Sequence, residues 1–276
     1  MKQMNQFQYS NDKTLNQFTL LDAKMTDFSY SKHAHEEYSL GVTLQGRQDF
    51  FSQRAFHKSP TGGVIVFNPE DVHDGHSGLT EHLEYVMLYV HPSEFEPMFK
   101  ALGYTKNAAP RVASPLLNNP VLAQQILALK RLTNNGNYTR IDGEAALFNI
   151  AHSIIKQTGC AIAALSISSK KDTLLLKAKD YIMANLVNDI SIDEIAAAAT
   201  LSKYHFIRLF NQQFGITPHQ YVLNCRINQA RKYIESGFNV SRVALDTGFA
   251  DNSHLNRHFK RVFGLTPKQY QLQLSL

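Results

Sequence analysis

The sequence predicts two domains: an all-β barrel followed by a pair of helices and then, after a linker, an all-α domain of two helix-turn-helix modules joined by a helix. Three observations carry that reading. Two stretches near the C-terminal end are near-copies: His205 to Tyr221 returns 49 residues later as His254 to Tyr270, with nine of 17 positions identical. Between Phe28 and Val90, apolar and polar residues alternate in short runs broken by turn residues, the period-two pattern of strands. Charge is also divided unevenly, since residues 173–276 hold 12 Lys and Arg against 7 Asp and Glu while residues 1–172 hold 16 of each.

In chain order, the strands are punctuated by Gly41, Gly46, Pro60-Thr61-Gly62-Gly63, Asn68-Pro69 and Gly75. These residues supply the backbone angles of tight turns, so many short strands close into a barrel or sandwich over about residues 15–105. Two amphipathic helices follow within about residues 120–157. Val121, Leu122, Ile126, Leu129 and Leu132 recur at helical spacing from Pro120, and Ala145, Leu147, Phe148, Ala151, Ile154 and Ile155 do so from Ile141, with Asn134-Asn135-Gly136-Asn137 as the break. The first domain is thus residues 1–159. Residues 160–172, ending Ser166-Ile167-Ser168-Ser169-Lys170-Lys171, read as a linker. The second domain is residues 173–276.

Each copy of the repeat encodes a helix with a hard stop. Phe206, Leu209, Phe210 and Phe214 in the first, and Leu255, Phe259 and Phe263 in the second, lie three or four residues apart and form one buried face. Gly215 and Gly264 suit the left-handed residue after a helix, and Thr217-Pro218 and Thr266-Pro267 supply an N-cap with proline at the first helical position. Upstream, Ser191-Ile192-Asp193-Glu194 is a capping box, Ser202 and Asp251 are caps for the repeated helices, and Ala196 and Ala244 let two helices cross closely. Short helix, tight turn and longer helix make the arrangement whose second helix enters a DNA major groove. Pro218 to Ser236, with Tyr221, Val222, Cys225, Ile227, Ala230 and Ile234 on its apolar side, is a rigid spacer.

In these residues the chain resembles the AraC/XylS-type bacterial transcription regulators. The matching pattern runs Ile195-Ala196, Leu201-Ser202, Arg208-Leu209-Phe210, Phe214-Gly215, Thr217-Pro218, Tyr221, Arg226 and Ala230, then Val243-Ala244, Gly248-Phe249, Asp251-Asn252-Ser253, Arg257, Phe259-Lys260, Phe263-Gly264, Thr266-Pro267 and Tyr270. One departure is Thr200, where the family has glycine; a β-branched residue disfavours positive φ, which predicts a strained or altered first turn. The resemblance implies a double-stranded promoter or operator as partner, with the spacer holding two recognition helices about one DNA turn, roughly 34 Å, apart. It also implies contacts from Lys203, Tyr204, Ile207 and Arg208 in the first helix and Asn252, Ser253, Asn256, Arg257, Lys260 and Arg261 in the second. Arginine can hold guanine O6 and N7, asparagine can pair with adenine, and Tyr204 or Ile207 can touch a thymine methyl, while Lys203, Lys260 and Arg261 suit phosphate. His205 and His254 repeat as well, but near the helix start they serve equally as packing or capping residues.

The front of the chain resembles the cupin-type effector domain of the same family through His33-Ala34-His35-Glu36-Glu37-Tyr38, Leu44-Gln45-Gly46 and Gly63 to His73. That resemblance implies a small-molecule effector, with His33, His35, Glu37, His73 and His76 as candidate contacts. His33 and His35 share strand parity, and three imidazoles with His73 could hold Zn²⁺, Ni²⁺ or Fe²⁺. A metallo-cupin adds a glutamate four or five residues past the second histidine, where this chain has Ser39 and Leu40. The metal set is incomplete, so no cofactor is assigned and ligand contact is the expected role. His57, His82 and His91 read as ordinary surface histidines. The central helices pair two subunits in the family, implying a homodimer, although helices packed on their own barrel would look the same. RNA polymerase is a further partner by resemblance.

Composition limits the alternatives. The start, Met1-Lys2-Gln3-Met4-Asn5-Gln6, has no apolar signal segment, and no run approaches the ~18 apolar residues of a membrane span. Two cysteines give no disulfide framework. A cytoplasmic, ligand-responsive, non-enzymatic regulator is the expectation. Its rivals are a metal-dependent cupin enzyme using His33, His35 and His73, and an architectural DNA binder indifferent to sequence.

Overall fold

A computed structural model describes residues 5–11, 15, 17–78, 82–106, 108–134, 138–158 and 170–274, with the side chains of 170–173 excepted. The chain divides into two compact units. The N-terminal domain is built from β1 (Gln6–Asn11), β2 (Phe18–Met25), β3 (Ser29–His33), β4 (Tyr38–Gln45), β5 (Arg47–Ser52), β6 (Ala55–Pro60), β7 (Val64–Phe67), β8 (His73–Ser77), β9 (Leu83–Val90), α1 (Pro92–Ala101), β10 (Leu116–Leu117), α2 (Pro120–Asn134) and α3 (Arg140–Thr158). The strands form two sheets, ordered β1-β2-β9-β4-β7-β10 and β3-β8-β5-β6.

Alternation along the strands separates two environments. Leu20 on β2, Tyr38, Leu40 and Val42 on β4, Val64 and Val66 on β7, and Val86, Leu88 and Val90 on β9 point to one side. There Phe95 and Phe99 of α1, Leu122, Ile126 and Leu129 of α2, and Leu147, Ile150 and Ile154 of α3 complete a fully apolar core. Most of the apolar residues that predicted α2 and α3, Leu122, Ile126 and Leu129 and then Leu147, Ala151 and Ile154, are therefore used on the protein's own sheet, while Val121, Ala145 and Phe148 stay exposed. The opposite side carries Ser39, Gly41 and Thr43 of β4 and turns toward the second sheet: Thr43 Oγ1 is 2.9 Å from Ser59 Oγ of β6, and the Phe50 and Phe67 rings meet edge-on at 5.3 Å.

Three expectations are corrected here. Strand structure begins at Gln6, before the expected barrel start near residue 15. Helix α1, an element the expected all-β barrel over about residues 15–105 did not include, lies within that region; it starts at Pro92, well placed in a first turn, and His91 caps it. The predicted linker ends in helix, since α4 starts at Lys170; the rest of that stretch, residues 160–169, lies outside the described residues.

The C-terminal domain holds α4 (Lys170–Ala184), α5 (Ile192–Ala198), α6 (Lys203–Phe214), α7 (Pro218–Glu235), α8 (Val240–Asp246), α9 (Asn252–Phe263) and α10 (Pro267–Leu274). Leu175, Ala178 and Ile182 of α4 pack with Ile195, Ala196, Phe206, Phe210 and Val222. Among the described residues, no helix is long and apolar enough to cross a membrane.

Candidate nucleic-acid interface and effector site

The two modules repeat their hydrogen bonding as well as their sequence. Helix α5 opens with Ser191 and Glu194 capping each other, and α7 with Thr217 and Gln220 doing the same. Thr266 and Gln269 make the matching reciprocal bonds at α10. After α5, the Thr200 amide donates to Ala197 O and the Leu201 amide to Ala196 O; after α8, Gly248 donates to Leu245 O and Phe249 to Ala244 O. Both are the same left-handed stop, with φ of 54° at Thr200 and 80° at Gly248. The first turn is thus not reshaped by its threonine; it is held in the glycine conformation by a β-branched residue, at a cost in strain. Asp251 accepts from the His254 amide as expected, whereas Ser202 occupies the cap position without a side-chain bond.

A ring triangle is the structural reason for three of the identical positions. Phe210, Phe214 and Tyr221 have centroids 4.6, 5.4 and 6.2 Å apart. Phe259, Phe263 and Tyr270 repeat it at 4.5, 5.4 and 5.5 Å. Each triangle locks a recognition helix to the helix that follows. Gly215 and Gly264 end their helices at φ of 74° and 76°, and the Thr-Pro-x-Gln caps start the next. Seven of the nine repeated residues are thereby explained by folding alone.

The remaining two are His205/His254 and Arg208/Arg257. His254 packs at 5.4 Å on Phe249 and 4.7 Å on His258, while His205 is exposed, so that pair does not share a role. Both arginines are exposed and, among the described residues, neither is paired with a carboxylate. Tyr204 is 81% exposed. Lys203, Asn252, Ser253, Asn256, Lys260 and Arg261 are exposed as well, and Ile207 is half-buried. In α6 the buried Phe206 and Phe210 define the inner face, leaving Tyr204, Arg208 and Asn211 on the outer one; in α9 Leu255 and Phe259 leave Ser253, Arg257 and Lys260 there.

Burial and then the cations around it, His254, Arg261 and Arg257 on α9 and His219 on α7, push the His258 imidazole down to about 4. It stays neutral beneath the α9 surface at pH 7.

In the barrel, His33, His35 and His73 come together: they are buried, and one ligand nitrogen from each lies within 4.8 Å of the others. His33 Nδ1 is 2.6 Å from Ser31 O and His73 Nδ1 2.8 Å from Asp71 O, which fixes both rings by the carbonyl two residues upstream. The His73 ring stacks on Phe67 at 3.7 Å, and His35 meets Tyr89 edge-on at 5.2 Å. Burial pushes the Tyr89 phenol up, keeping it neutral.

Several expectations change. Strand β3 ends at His33, so a turn and not strand parity places His35 and Glu37. Glu37 is buried but is not grouped with the three imidazoles. His76 alternates with His73 along β8, faces the other side and is likewise not among the grouped residues. His57 and His82 are half-buried and engaged, His57 stacked on Phe50 and His82 2.8 Å from Glu84, and His91 is an exposed helix cap. Reading the residues alone also missed Ser39, Gln48 and Ser52, whose buried Oγ, Oε1 and Oγ atoms have no hydrogen-bond partner among the described residues. Burying such atoms unsatisfied costs free energy, which a ligand able to bond them would recover.

Comparison with known proteins matches a helix-turn-helix domain model over residues 195–273 and an AraC-like ligand binding domain model over residues 16–151. The uncharacterized HTH-type transcriptional regulator YbfI of Bacillus subtilis (strain 168) is 27% identical over 226 residues, spanning 82% of this chain and 81% of its own. The HTH-type transcriptional activator RhaS of Klebsiella pneumoniae (strain 342) is 23% identical over 249 residues, spanning 86% and 85%. Among solved structures, ToxT from Vibrio cholerae aligns with a TM-score of 0.60 at 14% identity, over 94% of this chain and 100% of that one, a likeness of fold.

Proposed function

The chain belongs to the AraC family of transcription regulators, with a ligand-binding N-terminal domain and a helix-turn-helix C-terminal domain, and from that membership we propose how its residues divide the work. Arg208 and Arg257 read base edges, with Tyr204, Ile207, Asn252, Ser253 and Asn256 beside them; Lys203, Lys260 and Arg261 hold phosphates. The observation that carries this reading is subtraction. Of nine repeated residues, folding explains seven, and the exposed arginine is the one left with the same setting in both copies.

A small molecule binds inside the barrel against His33, His35 and His73, together with Ser39, Gln48 and Ser52. The unsatisfied hydroxyl and amide atoms favour a compact, hydrogen-bonding effector. Occupancy shifts the presentation of the helix-turn-helix domain, for which a coupling of roughly 1–3 kcal/mol suffices. The protein acts in the cytoplasm as a homodimer and meets RNA polymerase at its promoter, as family members do, and is not an enzyme. The exposed Val121, Ile141 and Phe148 of α2 and α3 are the apolar residues left over for pairing.

The deciding experiment compares affinity for the gene's own upstream region with scrambled DNA of equal length at fixed salt. A sequence-specific regulator prefers its site by ~10³-fold or more; equal affinity would leave an architectural binder.

A further inference from the structure

Superposing the repeat residue on residue aligns Tyr204 with Ser253, Arg208 with Arg257, Asn211 with Lys260 and Gln212 with Arg261. All eight are exposed, on helices of equal length ended by the same left-handed glycine. The two faces differ sharply in charge. Helix α9 presents Arg257, Lys260 and Arg261 with no carboxylate paired to any of them among the described residues. Helix α6 presents Arg208 and Lys203, and Lys203 Nζ is 2.6 Å from Asp193 Oδ2. Where the second helix has two cations, the first has two amides.

From this difference, and resting on the DNA-binding reading above, we propose that the modules grip DNA unequally. Helix α9 is the electrostatic anchor, through Lys260 and Arg261, and α6 is the discriminating module, with Asn211 and Gln212 as uncharged contacts at its far end. Phosphate contacts add affinity for any sequence, whereas a helix whose one phosphate-binding cation, Lys203, is already shared with Asp193 gains mostly where the bases fit Tyr204, Arg208 and the amides. A mismatch under α6 therefore removes most of what that helix contributes, and a mismatch under α9 leaves its anchoring in place. A competing account is that Lys260 and Arg261 simply complement the C-terminal end of the α9 dipole. That account predicts an effect on folding stability and none on the salt dependence of binding.

The test uses the full chain and a 40-base-pair mixed-sequence duplex, with affinity followed by fluorescence anisotropy from 50 to 200 mM NaCl and melting temperature measured alongside. Removing one cation that neutralises a phosphate flattens the log–log salt slope by about 0.9. Lys260→Asn with Arg261→Gln should flatten it by about 1.8, making affinity about tenfold less salt-sensitive over that range, and Asn211→Lys with Gln212→Arg should steepen it by the same amount. Selection from a random duplex pool should then return a sharper preference in one half-site for the native protein, and a blurred one for the double variant that adds charge to α6. An unchanged slope in both double variants, or a change in melting temperature alone, overturns the proposal. A native protein that binds the duplex with no salt dependence and prefers no sequence overturns the DNA-binding reading itself, a result distinct from equal slopes.

Discussion

Lys203 Nζ lies 2.6 Å from Asp193 Oδ2, an ion pair joining the first helix of the first module to the start of its recognition helix. The hydrogen bond it donates to Asp193 holds the Lys203 ammonium above its ordinary range, so the lysine is charged but partly neutralised in the free protein. A phosphate competing for Lys203 must displace this carboxylate. Asp193→Asn should therefore strengthen binding to any duplex and steepen the salt slope by up to about one, read by anisotropy. Unaltered affinity would place Lys203 away from the backbone.

Arg257 stands on the outer stripe of α9 with the repeat's own Arg208 as its counterpart. Arg257→Ala should cost about 1–3 kcal/mol of operator affinity and relax preference at one base pair. Equal weakening against scrambled DNA would make it a phosphate contact instead.

Thr200 and Gly248 hold the same left-handed turn with the same pair of amide bonds, yet only one is glycine. Non-glycine residues in that region carry strain of order 1–3 kcal/mol, offset in part by the extra chain entropy of glycine. Thr200→Gly should raise stability by about 1 kcal/mol. Gly248→Ala should lower it by more, since a Cβ there meets Leu186 O and Arg226 Nε at 2.8 Å, while Arg226 already donates to Leu186 O and Asn188 O. Calorimetric melting of the full chain checks both, and a destabilised Thr200→Gly would show that the threonine is favoured there.

The C-terminal modules were legible because every signal is local. The Thr217–Gln220 and Thr266–Gln269 caps, the Gly215 and Gly264 stops and the Phe-Phe-Tyr triangle are each written within a few turns of chain and occur in both halves, so each copy checks the other, while the caps Ser191–Glu194 and Asp251 are equally local but belong to one module each. In the barrel the decisive facts are not local. Ser39, Gln48 and Ser52 are ordinary polar letters in their strands, and only pairing with distant strands, such as Ser39 with Tyr89 and Ser52 with His73, turns them inward. The histidines were legible as a trio, but their placement relied on a strand that ends at His33. His76 stands apart from the trio because parity along β8 points it away from His73.

His258 adds a pH dependence whose sign follows from its depressed value of about 4. The folded state keeps the imidazole neutral, whereas the unfolded chain protonates near the ordinary value of about 6.5. Below about 6.5 the unfolded state thus binds more protons, so stability is full above that pH and declines as pH falls toward 4. The ring is only half-buried, and solvent screening makes the loss modest. His258→Gln should flatten the pH dependence of the urea midpoint of the C-terminal transition between pH 7 and 5; a midpoint falling as steeply as in the native protein would assign the dependence elsewhere.

Inside the barrel, the buried imidazoles and the unsatisfied atoms of Ser39, Gln48 and Ser52 predict where an effector is felt. A thermal-shift screen of the full chain against sugars, amino acids and other small metabolites should return a stabilising compound, since a ligand at 100 times its Kd adds about 2.7 kcal/mol. His35→Gln and Gln48→Leu should each erase that shift while leaving affinity for the mixed-sequence duplex unchanged, because neither residue belongs to the helix-turn-helix domain. Zn²⁺, Ni²⁺ and Fe²⁺ belong in the same screen. A chelator-reversible shift abolished by His35→Gln but kept by Gln48→Leu would mark the three histidines as a metal centre, whereas loss of the organic ligand's shift in both variants with no metal response would fix the site as a hydrogen-bonding pocket.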